Sequence, residues 1–243
     1  MTNPFIQIEQ VSKKIGKQQI VHPFSLKLEA GQTLALCGGN GAGKSTLLRM
    51  IAGIMQPSEG QIMLDGLQWK NNRKAYAELI GFMPDDFRFG TALSAWETIT
   101  FYASLRGIGK QRAAEVLRLV DLYEARHKSV AAFSKGMRQR LMFGQAVLAK
   151  PKLLMMDEPT NGLDPYWTDM FSQLVLELKA AGTTIIFSTH HLQIAETVAD
   201  EALFLHEGRI MSHRTIAEYR ESYGSAGLAA VFTESSQQSI ASK

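Results

Sequence analysis

The 243-residue chain predicts an α/β fold: a mainly parallel sheet flanked by helices, with antiparallel strands at its start and a helical insert near its middle. Three observations carry this. Strand and helix signals alternate through both ends of the chain. Several strands are short and continuously apolar, and between about 86 and 150 the apolar period changes from two to about 3.6.

The elements follow in order. FIQIEQV (5–11) and FSLKL (24–28) alternate in polarity, as half-buried antiparallel strands do. TLALCG (33–38) is apolar throughout and runs into a glycine-rich loop, which predicts a strand buried on both faces. Leu47, Leu48, Ile51 and Ala52 recur at helical spacing, so a helix is expected from Ser45 to about Ile54. PSEGQIMLDG (57–66) reads as turn, strand, turn, and LIGFMP (79–84) as a strand ended by proline. In the insert, Ser94 and Glu97 form a capping box ahead of WETITFYASL, and Gly107 and Gly109 break that helix. QRAAEVLRLV makes a second helix, and Ser134 opens a third that proline stops at Lys150–Pro151. Alternation then resumes with the strand KLLMMD and a helix that has Asp164 as its cap and Pro165 at its first position. TTIIFSTH, a short helix and EALFLHEGRI complete it. The expected organisation is one domain over 1–220, with the insert at about 86–150. A tail from 221 to 243, rich in Ser, Ala and Gln, is expected to be loosely held.

Composition narrows the function. The net charge of +3 is far from the concentrated basic excess of a nucleic-acid binder, so no nucleic-acid partner is expected. A single cysteine excludes an internal disulfide and suits a reducing compartment. No apolar run approaches the ~18–20 residues that span a bilayer. The opening MTNPFIQIEQ has neither a basic nor an apolar export segment, which predicts a cytoplasmic chain.

Four stretches carry chemistry. GGNGAGKST holds the pattern G-x-x-x-x-G-K-[ST] from Gly38 to Ser45, so Gly38, Gly39, Asn40, Gly41, Ala42, Gly43, Lys44, Ser45 and Thr46 are candidate phosphate-binding residues. Glycines let successive backbone N–H groups turn toward a phosphate, and the helix that follows adds its dipole. Lys44 is expected on the β- and γ-phosphates and the Ser45 hydroxyl on Mg²⁺. In KLLMMDEPTNGLDP (152–165), four apolar residues deliver Asp157 and Glu158 to a strand end, where ligands of α/β sheets bind. Side chains alternate along a strand, so Asp157 can hold the Mg²⁺ shell while Glu158 deprotonates an attacking water. STH (188–190) ends the neighbouring strand and offers His190 to the γ-phosphate and that water. A second anion site appears at FSKGMRQR (133–140): Ser134 as cap and Gly136 beside it make a helix start fit to hold an anion.

In order and spacing, these residues resemble the ATP-binding-cassette ATPases over roughly residues 3–220. The resemblance implies a P-loop NTPase (RecA-like) core, an ATPase activity, and ATP with Mg²⁺ as ligands. It identifies Ser134, Lys135, Gly136 and Met137 with the signature motif, which binds ATP held by a second protomer in a head-to-tail dimer, here expected to be a homodimer. Asp164 is then expected to help bridge the protomers. It further implies a separate integral membrane permease, and a place on the inner face of the cell membrane through that permease. The segment 85–102 faces the membrane subunit in that family, so Phe87, Phe89 and Trp96 are candidate permease contacts. Phe101 and Tyr102, being on a helix, are expected in the core.

Four positions depart from the family pattern. Lys135 and Met137 replace a glycine and a glutamine of the signature, as in exporter-type members. Asp85 stands where a Mg²⁺-ligating glutamine is usual, and Ile15 where an aromatic usually stacks on adenine. The expected function is therefore the ATP-hydrolysing subunit of an exporter. Cassette proteins acting on DNA or ribosomes carry long coiled coils or a second cassette, and this sequence has neither heptads nor a second P-loop. A small-molecule kinase would leave FSKGMRQR and STH unexplained.

Overall fold

A computed structural model describes residues 4–85 and 92–232. Strands β1 (Ile6–Ile15), β2 (Gln18–Leu28) and β4 (Glu59–Leu64) form an antiparallel sheet in the order β2-β1-β4. The larger sheet contains β3 (Thr33–Cys37), β5 (Ile80–Met83), β6 (Leu153–Met156), β7 (Thr184–Thr189), β8 (Glu201–His206) and β9 (Arg209–Thr215), in the order β5-β6-β7-β3-β8-β9. All its pairings are parallel except β8 with β9.

The central strands are apolar throughout because both faces are covered. Leu34 and Leu36 of β3, Leu153 and Met155 of β6, Ile186 and Leu203 pack with the antiparallel sheet and with α1 (Lys44–Ile51). The alternate residues Ala35, Cys37, Leu154, Met156, Ile185, Phe187 and Phe204 face the opposite core. That core is shared with α3 (Ala95–Leu105), α4 (Lys110–Leu119), α5 (Lys135–Val147), α6 (Pro165–Ala180) and α7 (Leu192–Val198). One strand thus serves two cores through its period of two. Burial also fixes the character of one residue at the sheet's centre. It pushes the Cys37 thiol up to about 12, although Lys44 opposes the shift, so this cysteine stays a protonated apolar residue.

The expected capping box is present: Ser94 Oγ accepts from Glu97 N and Glu97 Oε2 accepts from Ser94 N. Several expectations need correction. A short helix, α2 (Arg73–Glu78), follows Asn72, whose side chain accepts from Ala75 N. The third helix of the insert ends at Val147, before Lys150. EALFLHEGRI is not one strand: it holds β8, the turn of the β8–β9 hairpin and the start of β9, and in the turn Glu207 (φ 45°) and Gly208 (φ 75°) both adopt the positive φ that a tight two-residue turn needs. A further helix, α8 (Ile216–Tyr223), starts with a Thr215–Glu218 capping box. Beyond it Leu228 and Val231 are buried in the main core, so the segment to 232 is packed rather than loose. Phe101 is 53% exposed, because α3 turns Ala95, Thr98, Ile99 and Ala103 inward and leaves Phe101 and Leu105 on the outer face. Tyr102 is partly buried against the core.

Candidate nucleotide site

The phosphate-binding loop leaves the carboxyl end of β3, which lies between β7 and β8 in the middle of the sheet. Three of its glycines are required by the backbone, Gly41 among them at φ 78°. A Cβ on Gly38 would lie 2.3 Å from the Leu205 carbonyl oxygen, and Gly43 enters the helix at φ 104°. A Cβ on Gly39 or Gly41 would meet nothing within 4 Å. Gly43 offers no side-chain cap to α1, which leaves the first-turn N–H groups of that helix for an anion. Lys44 is 5% exposed; its Nζ donates to the carbonyls of Gly38 (2.8 Å) and Gly39 (3.2 Å) and lies 3.3 Å from Glu158 Oε1.

Glu158 and Asp157 follow β6, whose four residues are all buried. Asp157 Oδ1 accepts from Ser188 Oγ (2.6 Å), and Ser188 Oγ in turn accepts from Glu158 N (2.8 Å). The STH stretch points to His190 by its position at the strand end, but nothing in the sequence marks Ser188 for this relay. Glu158 is 8% exposed and takes φ 47°, a left-handed conformation that non-glycine residues adopt at a cost and that concentrates at functional sites. Its Oε2 lies 2.8 Å from His190 Nδ1, so an ionised Glu158 requires the imidazole proton on Nδ1. The sheet therefore brings Lys44, Asp157, Glu158, Ser188 and His190 into one cluster. Its acidic and hydroxyl oxygens, with the Ser45 hydroxyl at the helix start, suit a hard divalent cation. Among the described residues no group of three or more His, Cys, Asp or Glu is placed to hold a metal unaided. Those oxygens would suit a hydrated Mg²⁺, which would need further ligands from elsewhere.

The second anion site lies elsewhere. Ser134 caps α5 by accepting from Met137 N (3.1 Å) and is exposed with Lys135; Gly136 and Met137 are half-buried. The bonds of Ser134 stay within its own helix, whereas those of Lys44 go to Gly38, Gly39 and Glu158. The two sites are nevertheless joined through the 159–164 loop. A Cβ on Gly136 would lie 3.1 Å from the Gly162 carbonyl oxygen, and Gln139 Nε2 donates to the carbonyls of Glu158 and Pro159, both at 3.2 Å. Nothing in the sequence marks Gln139 for this contact either. Asp164 is exposed and caps α6 through Trp167 N (2.8 Å). Asp85, also exposed, accepts from Asn161 Nδ2 (3.2 Å), and Ile15 is 53% exposed at the end of β1. Trp96 packs against the main core; Phe87 and Phe89 lie outside the described residues.

Residues 21–161 match the family described as ABC transporter. The chain belongs to the ABC transporter ATP-binding proteins. It is 37% identical over 212 residues to the uncharacterized ABC transporter ATP-binding protein YdbJ of Bacillus subtilis (strain 168), covering 86% of this chain and 69% of that one. It is 36% identical over 208 residues to the bacitracin transport ATP-binding protein BcrA of Bacillus licheniformis, covering 85% and 68%. Among solved structures, the ATP binding subunit of an ABC transporter superposes with a TM-score of 0.86 at 30% identity, covering 95% of this chain and 98% of that one. For an ABC transporter ATP-binding protein, the fold is that of the P-loop cassette, and ATP binding and hydrolysis are the family's chemistry. Among the described residues no helix is long and apolar enough to cross a membrane.

Proposed function

We propose that this chain is the ATP-hydrolysing subunit of an exporter, driving a separate membrane permease by closing and reopening a head-to-tail dimer. The contact of Glu158 with both Lys44 (3.3 Å) and His190 (2.8 Å), at the mouth of the phosphate loop, carries this reading. In it, the loop N–H groups and Lys44 bind the β- and γ-phosphates, and Glu158 accepts a proton from the attacking water. As that water's oxygen bonds to the γ-phosphorus, the bond to the ADP oxygen breaks, giving ADP and phosphate. His190 holds the carboxylate in place. Asp157, fixed by Ser188, and Ser45 would hold Mg²⁺, with Asp85 as a further ligand; the cation would supply charge neutralisation at the transferred phosphoryl group. Ile15 lies beside adenine.

The exposed start of α5 supports the dimer. A capped helix N-terminus open to solvent is half of an anion site, and a second copy of this chain presenting ATP completes it, with Asp164 near the same seam. An apolar surface supports the permease. A groove of ≈ 380 Å³ opens between α2, β5, α3 and the end of α5, lined by Ala52, Ile54, Phe82, Tyr102 and Leu105, with Arg106 at its side. Ile54 (63%) and Leu105 (66%) stand exposed there, with Phe101 on the same helix. A permease segment covering this groove would hold the subunit on the inner face of the membrane, with Phe87, Phe89 and Trp96 as further contacts. Relatives named for bacitracin transport and linearmycin resistance support export.

The test is a tagged Glu158→Gln variant, which binds ATP and stays closed, recovered from gently solubilised membranes in ATP. A co-purifying protein with several membrane-spanning helices is the expected result. Ribosomes or DNA in its place would overturn the transporter reading.

A further inference from the structure

We infer that Gln139 is a positioning residue for hydrolysis: from the signature helix it holds the backbone turn that aims Glu158. The inference rests on reading Glu158 as the base. Gln139 is a neutral amide at 4% exposure on the inner face of α5, among Leu141, Met142 and Phe143. Its Nε2 donates to two successive carbonyls, those of Glu158 and Pro159. Those carbonyls converge on one nitrogen beside the left-handed turn at Glu158 (φ 47°). The other side of the same residue is held by β7, where Ser188 Oγ accepts Glu158 N at 2.8 Å. Two clamps from two elements thus fix a conformation that an isolated glutamate disfavours. That conformation sends Oε1 toward Lys44 and Oε2 toward His190.

Losing the amide leaves two buried carbonyls without that donor and releases one clamp. The base would then sample other orientations while the phosphate loop, which Gln139 does not touch, stays intact. Binding and chemistry should separate. There is a further consequence for the dimer. The first turn of α5 carries Ser134, and Gly136 packs closely on Gly162 of the same loop, so a shift of the signature helix reaches the base through Gln139.

The experiment compares steady-state ATP hydrolysis by the full chain carrying Gln139→Met, Gln139→Glu or Glu158→Gln. Gln139→Met keeps the volume and loses the donor: kcat should fall about ten- to a hundredfold, as expected for a misplaced catalytic group, with KM for ATP unchanged within about twofold. Gln139→Glu keeps the shape but sets a carboxylate against two carbonyls. Protonation restores one O–H donor, so its activity relative to the parent should recover as pH falls from about 8 to about 6, while the Gln139→Met ratio stays flat. Full kcat in Gln139→Met beside an inactive Glu158→Gln overturns the positioning role alone. A loss in Gln139→Met matching its loss of folded protein, or a flat pH ratio for Gln139→Glu, also overturns it. Retained turnover in Glu158→Gln overturns the base assignment, and this inference with it.

Discussion

Two helix starts in this chain are fit for anions, and they are built in opposite ways. α1 begins behind a glycine with no capping side chain, and its Lys44 is buried against Glu158. α5 begins behind Ser134, which satisfies one first-turn N–H itself and stands in solvent. The first site has charge, backbone donors and a base gathered within one chain. The second has a dipole, a hydroxyl and the exposed Lys135, with no buried ion pair like that of Lys44 and Glu158. Helix dipoles at exposed positions are worth about 0.3–1 kcal/mol and are screened by salt, so the α5 site is too weak to hold a nucleotide by itself. On the proposed reading, the difference teaches a division of labour: the first site would recruit the ligand and the second would sense that another copy has brought one.

The largest expected effect falls on the first site. Lys44→Ala should weaken ATP binding at least tenfold, because hydrogen bonds to charged groups contribute about 1.5–3 kcal/mol each. It should also lower folding stability by roughly 3 kcal/mol, since removing one partner of a buried pair leaves the Glu158 carboxylate without its ammonium. Titration calorimetry and urea unfolding measure the two. A variant that binds ATP as the parent does would break the assignment of the first site.

The second site predicts a different pattern. Ser134→Ala should leave ATP affinity of the single protomer unchanged and cost about 1 kcal/mol of stability through the lost cap. In a Glu158→Gln background it should weaken ATP-driven association several-fold, by roughly the worth of one dipole contact, as read by sedimentation. If Ser134→Ala reduced protomer affinity as much as Lys44→Ala, the division of labour between the two sites would fail. A smaller effect is expected at Asp85. A carboxylate binds Mg²⁺ more strongly than an amide, so the parent should depend more steeply on Mg²⁺ than Asp85→Gln, with midpoints differing by about two- to threefold. Identical Mg²⁺ titrations would remove Asp85 from the metal site and leave it as the partner of Asn161.

Much of the first site was legible in the sequence because it is local. A buried strand, a glycine loop and a helix follow one another from Thr33 to Ile51, and each step has its own signal. Asp157 and Glu158 were legible because four apolar residues fix where the strand ends. What was not legible is what distant elements do to Glu158. Gln139 lies 19 residues away on a helix, where glutamine normally faces solvent, and nothing local marks it as buried. Ser188 lies 30 residues away, and a strand serine gives no sign that it will bridge a carboxylate and a backbone N–H. The left-handed turn at Glu158 is likewise imposed by these contacts, since glutamate has no preference for it. The hairpin at Glu207–Gly208 is poorly legible because Glu-Gly is a weaker turn signal than Asn-Gly or Asp-Gly. α8, by contrast, carries a local signal, the Thr215–Glu218 capping box.

The comparison between the sites extends to the adenine, which neither helix start addresses. Ile15 ends β1, with its side chain in solvent, at the position where the family usually carries an aromatic. An aliphatic group gives contact area but no π-face, and a base stacked on an aromatic gains about 1–3 kcal/mol. Ile15→Tyr should therefore raise ATP affinity about fivefold, the yield of about 1 kcal/mol at the low end of that range. Every base has a π-face, so GTP affinity should rise by a similar factor and the ratio between the nucleotides should change little. The parent itself should discriminate weakly, because its affinity comes from phosphate contacts common to both. Fluorescence competition with the two nucleotides measures all four constants. A strong preference of the parent for ATP would mean that a side chain other than Ile15 reads the base edge, and that the recruiting site extends beyond the phosphate loop.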